Sequence, residues 1–301
     1  MFTIISDGGC DFTKEEVARH GIQVIPFYIT LDTGESLREG YDITKEEYFA
    51  RLASEKDFFP KTSQPSPQDY IDIYTPHLEA GRDILSLTIS SKLSGSLASA
   101  ALAADMLKEH YPKRQIKVVD SLSASIGQGL ILHEIIRMRD AGLNLQKTVE
   151  AARLVIKATY AYVVPENLEY LKRGGRVGPT TAFVGGLLGL RPILHLVEGE
   201  VKQLETVRGK KNALGLIENA IVDALAGQEQ DINLSIGHVL SEDDAKAIKA
   251  NIAAALGTGN DGVANIVGAA IGTHAGPGAL LFAYCKKYEA CLAAKAQKEA
   301  A

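Results

Sequence analysis

Two hydrophobic rhythms share the first half of the chain. Short apolar runs at 2–6, 22–30, 84–89 and 116–120 read as strands, and the segments between them carry helical spacing. Thr13-Lys-Glu-Glu16 and Thr44-Lys-Glu-Glu47 have the capping-box pattern, in which the first side chain bonds the third helical amide and the glutamate reaches back. Gly21 stops the first of these helices. Ser66-Pro67 opens another, with proline at a position whose amide is unpaired anyway. Further helices are predicted over 94–110, 123–141 and 145–158. Strand and helix in alternation predict a mostly parallel, Rossmann-like sheet covered on both faces.

The pattern changes after residue 158. Tyr160 to Val164 reads as a strand and Asn167 to Lys172 as a helical turn. Phe183 to Leu190 is rich in Gly and Leu and leads into a strand in RPILHLVEG. Helices near 209–226 and 242–256 accompany strands at Ile232–Val239 and Ile266–Ile271, and Pro277 to Tyr284 is apolar. The expected organisation is two α/β domains, 1–158 and 159–288, with a ligand between them and a polar helical tail at 289–301 that is either a helix or frayed.

Composition narrows the function. The 301 residues are 46% apolar and 23% charged, as in ordinary globular chains, so disorder, collagen and a coiled coil are excluded as the main architecture. A net charge of −5 speaks against general nucleic-acid binding, and the absence of Trp speaks against a base-stacking platform. Cys10, Cys285 and Cys291 form no C-x-x-C pair, so neither a disulfide framework nor a zinc site is expected. The N-terminus lacks the basic start of a signal peptide, and the longest apolar run is cut at Arg191, short of a membrane span. These features predict a cytoplasmic protein without membrane insertion.

The common cofactor motifs are missing: there is no P-loop, no G-x-S-x-G and no H-E-x-x-H. Gly257-Thr-Gly259-Asn-Asp-Gly262 matches G-x-G-x-x-G but follows a helix and precedes a strand, the reverse of the dinucleotide-binding context, and reads as a turn. Hydroxyl clusters stand out instead. Ser90-Ser-Lys-Leu-Ser94-Gly95-Ser96 and Ser121-Leu-Ser123-Ala-Ser125 each follow a strand and precede a helix, and Lys61-Thr62-Ser63-Gln64-Pro65-Ser66-Pro67 forms a proline-braced loop. Strand ends and helix N-termini of open sheets receive ligands, and neutral hydroxyls beside free amides suit a single carboxylate; the same residues are also common caps and turn formers. His274, where an expected strand meets a Gly-rich turn, can donate to an anion or simply bond the backbone. With Ser94 and Asp7 or Asp120 it also allows a hydrolase-like triad. Between Lys172 and Lys211 there are eight Lys/Arg and three Glu, concentrated at Arg173, Arg176 and Arg208; this is either an ordinary solvated face or a docking surface.

Taken together, Ser6-Asp7, Ile25-Pro26, KTSQPSP (61–67), ISSKLSGS (89–96), VVDSLSASIGQG (118–129), LEYLKRGGRVG (168–178), PIL (192–194), VRGKK (207–211) and IGTHAGPGAL (271–280) make the chain resemble the DegV family of bacterial fatty-acid-binding proteins. The matching pieces keep the family's order over nearly the whole chain. It departs at Gly8-Gly9, where the family more often has Ser or Thr, and in a longer tail. The resemblance implies a long-chain fatty acid such as palmitate buried between two domains, with no other cofactor. Its carboxylate would be held by Thr62 and Ser94, with Ser63, Gly95 and His274 close by. It further implies a non-catalytic carrier, of the type that presents the acid to the ATP-binding subunit of a fatty acid kinase, with Arg173, Arg176 and Arg208 as docking or phosphate-facing groups. The alternatives from the residues alone are a Ser/His-dependent esterase or phosphoryl transferase acting alone, and a small-anion sensor.

Overall fold

The computed structural model describes residues 2–55, 58–177, 189–257 and 264–300. The chain begins with β1 (Phe2–Asp7), a single 3-10 turn (Gly8–Cys10), α1 (Lys14–His20), β2 (Gln23–Ile25), β3 (Tyr28–Thr30), β4 (Ser36–Arg38), α2 (Lys45–Ser54) and β5 (Lys61–Ser63). It continues through α3 (Pro67–Glu79), β6 (Asp83–Thr88), α4 (Ser96–Lys108), β7 (Ile116–Asp120), α5 (Ser125–Asp140) and α6 (Leu145–Lys157). The capping boxes at Thr13 and Thr44 form, as does a third at Ser66, with Pro67 opening α3.

Strands β2, β1, β6 and β7 lie side by side in that order, all parallel. The run 22–30, expected as one strand, is two strands in different sheets. Pro26 offers no amide to a ladder, so pairing with β1 ends at Ile25 and the chain crosses into a small antiparallel sheet ordered β4-β3-β5. Lys61–Ser63, expected as loop, is the edge strand of that sheet.

The second half supplies β8 (Thr159–Val164), α7 (Glu169–Arg173), β9 (Leu190–Val197), β10 (Glu200–Arg208), α8 (Lys210–Leu225) and β11 (Ile232–His238). After these come α9 (Glu242–Leu256), β12 (Ala264–Ile266), α10 (Ala269–Ala275), β13 (Leu280–Lys286) and α11 (Tyr288–Ala300). The six strands order as β10-β9-β8-β13-β11-β12, antiparallel except for the last pair. Two expectations are corrected here. The strand expected at Ile266–Ile271 ends at Ile266, and a seven-residue helix begins at Ala269. Strand β10 was not foreseen, although the turn at Glu198-Gly199, both with positive φ, marks its hairpin. The run 183–190 falls outside the described residues up to Leu188. In the G-x-G-x-x-G match, Gly257 is the left-handed C-cap of α9, and 258–262 lie outside the described residues.

Alternation along β13 explains how the halves join. Leu280, Phe282 and Tyr284 pack with Ile217, Ile221 and Ile248 of α8 and α9. Leu281 and Ala283 face the other way, toward Ile126 and the α2 residues Tyr48 and Phe49. Helix α5 therefore lies between the two large sheets, and its Ile131, Leu132 and Ile135 complete the core of β1, β6 and β7. A helix buried on nearly all faces needs no apolar stripe, which is why the first part of α5 reads as Leu/Ile-rich and its charged groups gather in the last two turns. Gly127 permits the close approach, since a Cβ there would press on Ser123 and touch Ala161 and Ala283. The tail is an ordered helix: the buried Glu134 carboxylate accepts from the Tyr288 amide at 2.7 Å, and Arg137 bridges Glu134 and Glu289. Among the described residues no helix is long and apolar enough to cross a membrane.

Candidate functional site

In an open parallel sheet the usual ligand crevice is the point where strand order reverses, here between the C-terminal ends of β1 and β6. That place is already taken. The Asp7 carboxylate accepts from the amides of Gly9 (3.1 Å) and Ile89 (3.0 Å) and from Gln128 Nε2 (2.9 Å). Burial pushes its pKa up, and these three donors pull it back. Asp120 likewise receives the amides of Ser91 and Leu122. Neither acid reaches His274, so the triad allowed by the sequence does not assemble.

A different cavity, about 850 Å³ including its mouth, opens between the parallel sheet's loops and the inner face of the six-stranded sheet. One wall is Ala161, Val163, Leu196, Val201 and Leu281; the other is Phe27, Ala124, Ile126, Ala270 and Ile271. Apart from Phe27 these are small or aliphatic groups, suited to a flexible hydrocarbon.

Polar side chains gather where β5, α10 and the loop before α4 meet. Thr62 and His274 are hydrogen bonded, Oγ1 to Nε2, at 2.7 Å. Ser94 lines the same end, its hydroxyl accepting from the Ser96 amide at 3.3 Å, next to the uncapped first turn of α4. Gly95 is the N-cap of that helix; a Cβ there would meet the Gln64 side chain, another lining residue. Arg176 also lines the cavity, anchored by bonds from its guanidinium to the carbonyls of Leu93 and Gly174. A full positive charge thus stands beside the hydroxyls, which the reading of 172–211 as a surface feature missed.

His274 is in the last turn of α10 rather than at a strand end. Burial, then the charge of Arg176, lowers its pKa to about 4, so the imidazole is neutral near pH 7. A base depressed in the folded state stabilises the protein above its unfolded value, and that contribution is lost as the pH falls through about 4. Its Nδ1 is buried against Gly174 with no partner.

The other sequence candidates are not brought to this cavity. Ser63 is exposed, on the opposite side of β5 from Thr62. Arg173 lies on an outer basin with Phe59, Lys61 and Tyr170, which shares Thr62, Arg176 and His274 with the cavity. Its guanidinium is 3.7 Å from the centre of the Phe59 ring and pairs with Glu169 at 2.6 Å. Arg208 is exposed at the end of β10. In the VRGKK segment (207–211), Lys210 pairs with Asp244 at 2.8 Å and so ties α8 to α9.

A sheet-backed apolar cavity with a polar end is the arrangement of a small-molecule-binding protein. Comparison with known proteins is specific about which. A family model described as an uncharacterised protein of the DegV family matches residues 1–287, and the chain belongs to that family. A DegV domain-containing protein of Caldanaerobacter subterraneus subsp. tengcongensis is 31% identical over 92% of this chain and 95% of its own. Among solved structures, a stearic-acid-binding protein from Eubacterium ventriosum superposes with a TM-score of 0.89 at 26% identity, covering 96% of this chain and 100% of its own. A DegV family protein from Thermus thermophilus, described by its fatty acid binding, gives 0.85 at 33% identity over 95% and 99%.

Proposed function

We propose that this protein binds one long-chain fatty acid, with the hydrocarbon in the cavity and the carboxylate at Thr62, Ser94 and His274, and that it acts as a cytoplasmic carrier without catalysing a reaction itself. The observation that carries this reading is the meeting of an apolar cavity with a single cluster of hydroxyl, imidazole and guanidinium groups. The relatives' fatty-acid binding supports it. With Nδ1 unpartnered, the favoured tautomer places the proton on Nε2, where it donates to Thr62 Oγ1. The Thr62 hydroxyl proton is then free to donate to the carboxylate. Arg176 supplies the compensating charge, without which a carboxylate entering an apolar site tends to protonate or stay out.

Affinity comes mainly from the tail. Burying about fourteen methylenes at about 0.8 kcal/mol each gives on the order of 11 kcal/mol. Ordering the chain and losing its free motion offsets several kcal/mol of that. The esterase alternative lacks a partner for His274 Nδ1: among the described residues no acid is hydrogen bonded to it. Solvent extraction of the purified protein followed by mass spectrometry should return a long-chain acid. An extract free of acid, from protein that also takes up no labelled palmitate, ends the proposal.

The finer part of the reading is presentation to an ATP-binding kinase subunit at the outer basin. Arg173, exposed at the rim and backed by Phe59, supports it. Arg173→Glu should abolish acyl-phosphate formation with such a subunit and leave lipid binding unchanged; loss of lipid binding as well would make Arg173 part of the pocket's structure.

A further inference from the structure

Helix α10 carries His274 at one end and an unusual tether at the other. Its N-cap is Gly268, which has no side chain to cap the first amides. That role falls to Glu39, 230 residues away in sequence: its Oε1 accepts from the Ala269 amide at 2.5 Å and its Oε2 from Ala270 at 3.2 Å. Ala270 and His274 both line the cavity, so the tether and the head-group site share one short rigid element.

Glu39 faces a second acid. A Cβ built on Gly268 would stand 2.6 Å from Asp11 Oδ1 and 2.7 Å from Glu39 Oε1, so the two carboxyls meet across that glycine. Asp11 Oδ2 receives the Ser125 hydroxyl, but Oδ1 is shut off from solvent and has no partner. The other groups that face the pair are Lys45 and Tyr48 of α2. The Lys45 ammonium lies 3.4 Å from the carbonyls of Asp11 and Ile266, and Tyr48 bonds Thr273 of α10 at 2.6 Å. Two carboxyls against one ammonium leave one negative charge too many for a buried site. Burial, then the Asp11 charge, lifts Glu39 to about 7, and burial also raises Asp11. A proton on Glu39 removes that excess charge, and the Gly268 amide remains beside the Asp11 carboxyl.

We propose that Glu39 is a positioning residue for His274: carrying a proton beside Asp11 and gripping the first amides of α10, it holds the imidazole at the head-group site, and alkaline solution releases that hold. The proposal rests on the fatty-acid reading above for its consequence, but not for its mechanism. Removing the proton sets two carboxylates against each other across Gly268 and loosens the grip. In the linkage, an acid raised in the folded state contributes stability that is full below its unfolded value and is lost as the pH rises through about 7.

The test follows a fluorescent long-chain acid and the backbone hydrogen exchange of Ala269 and Ala270 between pH 6.5 and 9, the exchange corrected for its intrinsic pH dependence. Wild type should bind at least fivefold more weakly at pH 9 and lose protection of those two amides in parallel. Glu39→Gln, neutral throughout and still able to accept from one amide, should hold both readouts constant within twofold. The ligand's own titration is common to both proteins and cancels. Parallel pH profiles in wild type and Glu39→Gln, or protection of α10 that is insensitive to pH, would overturn the latch. Should wild type take up no acid at any pH, the ligand reading fails, and the exchange profile still decides whether the latch exists.

Discussion

Replacing Thr62 by valine and Ser94 by alanine together weakens the binding of a long-chain acid by more than tenfold. The two hydroxyls are the neutral donors at the polar end of the cavity, one oriented by His274 and the other by the Ser96 amide. Hydrogen bonds to a charged group are each worth about 1.5–3 kcal/mol, so losing two exceeds the 1.4 kcal/mol that makes a factor of ten. Arg176 remains, so binding weakens rather than vanishes. Valine keeps the β-branched shape that suits Thr62 to strand β5, and alanine is tolerated in the loop before α4. Titration with a fluorescent acid reads the effect, at a temperature well below the thermal midpoint, which should fall because Thr62→Val leaves the His274 imidazole without its partner. Wild-type affinity in the double variant would place the head group elsewhere.

The larger effect comes from the opposite wall. Ala161→Phe puts a ring into the cavity from the centre of the six-stranded sheet, where Ala161 faces α5. Each methylene kept out of the cavity forfeits about 0.8 kcal/mol, so excluding four or more costs on the order of 3 kcal/mol, at least a hundredfold in affinity. Overpacking adds about 1–3 kcal/mol of instability, visible as a lower midpoint in wild-type and variant melts. Acids of eight carbons or fewer should bind both proteins alike while palmitate is lost from the variant. Equal palmitate affinity in the two would show that the hydrocarbon does not pass Ala161.

What could be read from residues, and what could not, divides by range. The capping boxes at Thr13 and Thr44 and the parallel order of the first four long-pattern strands follow from local rules and are present. The misses are places where a distant group decides. IGTHAG carries two β-branched residues, Ile271 and Thr273, and glycines, yet it is helical up to Ala275 because Glu39 caps the helix and Tyr48 holds Thr273. Lys61–Ser63 is too short to show an alternation, and only pairing with β3 makes it a strand. Thr62, Ser94 and His274 were recognisable as chemistry. Their convergence was implied only by the family resemblance and by no local rule, because it depends on the small sheet and α10 meeting across more than two hundred residues. Arg176 was expected as a docking or phosphate-facing group, since nothing local reveals that its guanidinium turns inward onto the Leu93 carbonyl.

Asp7 carries a consequence for how such a protein can work. A Rossmann-like sheet ordinarily offers its crest to a nucleotide, and here a resident carboxylate repels any phosphate that approaches. The lobe has thus traded a vacancy for rigidity, and its stored order serves the neighbouring greasy chamber.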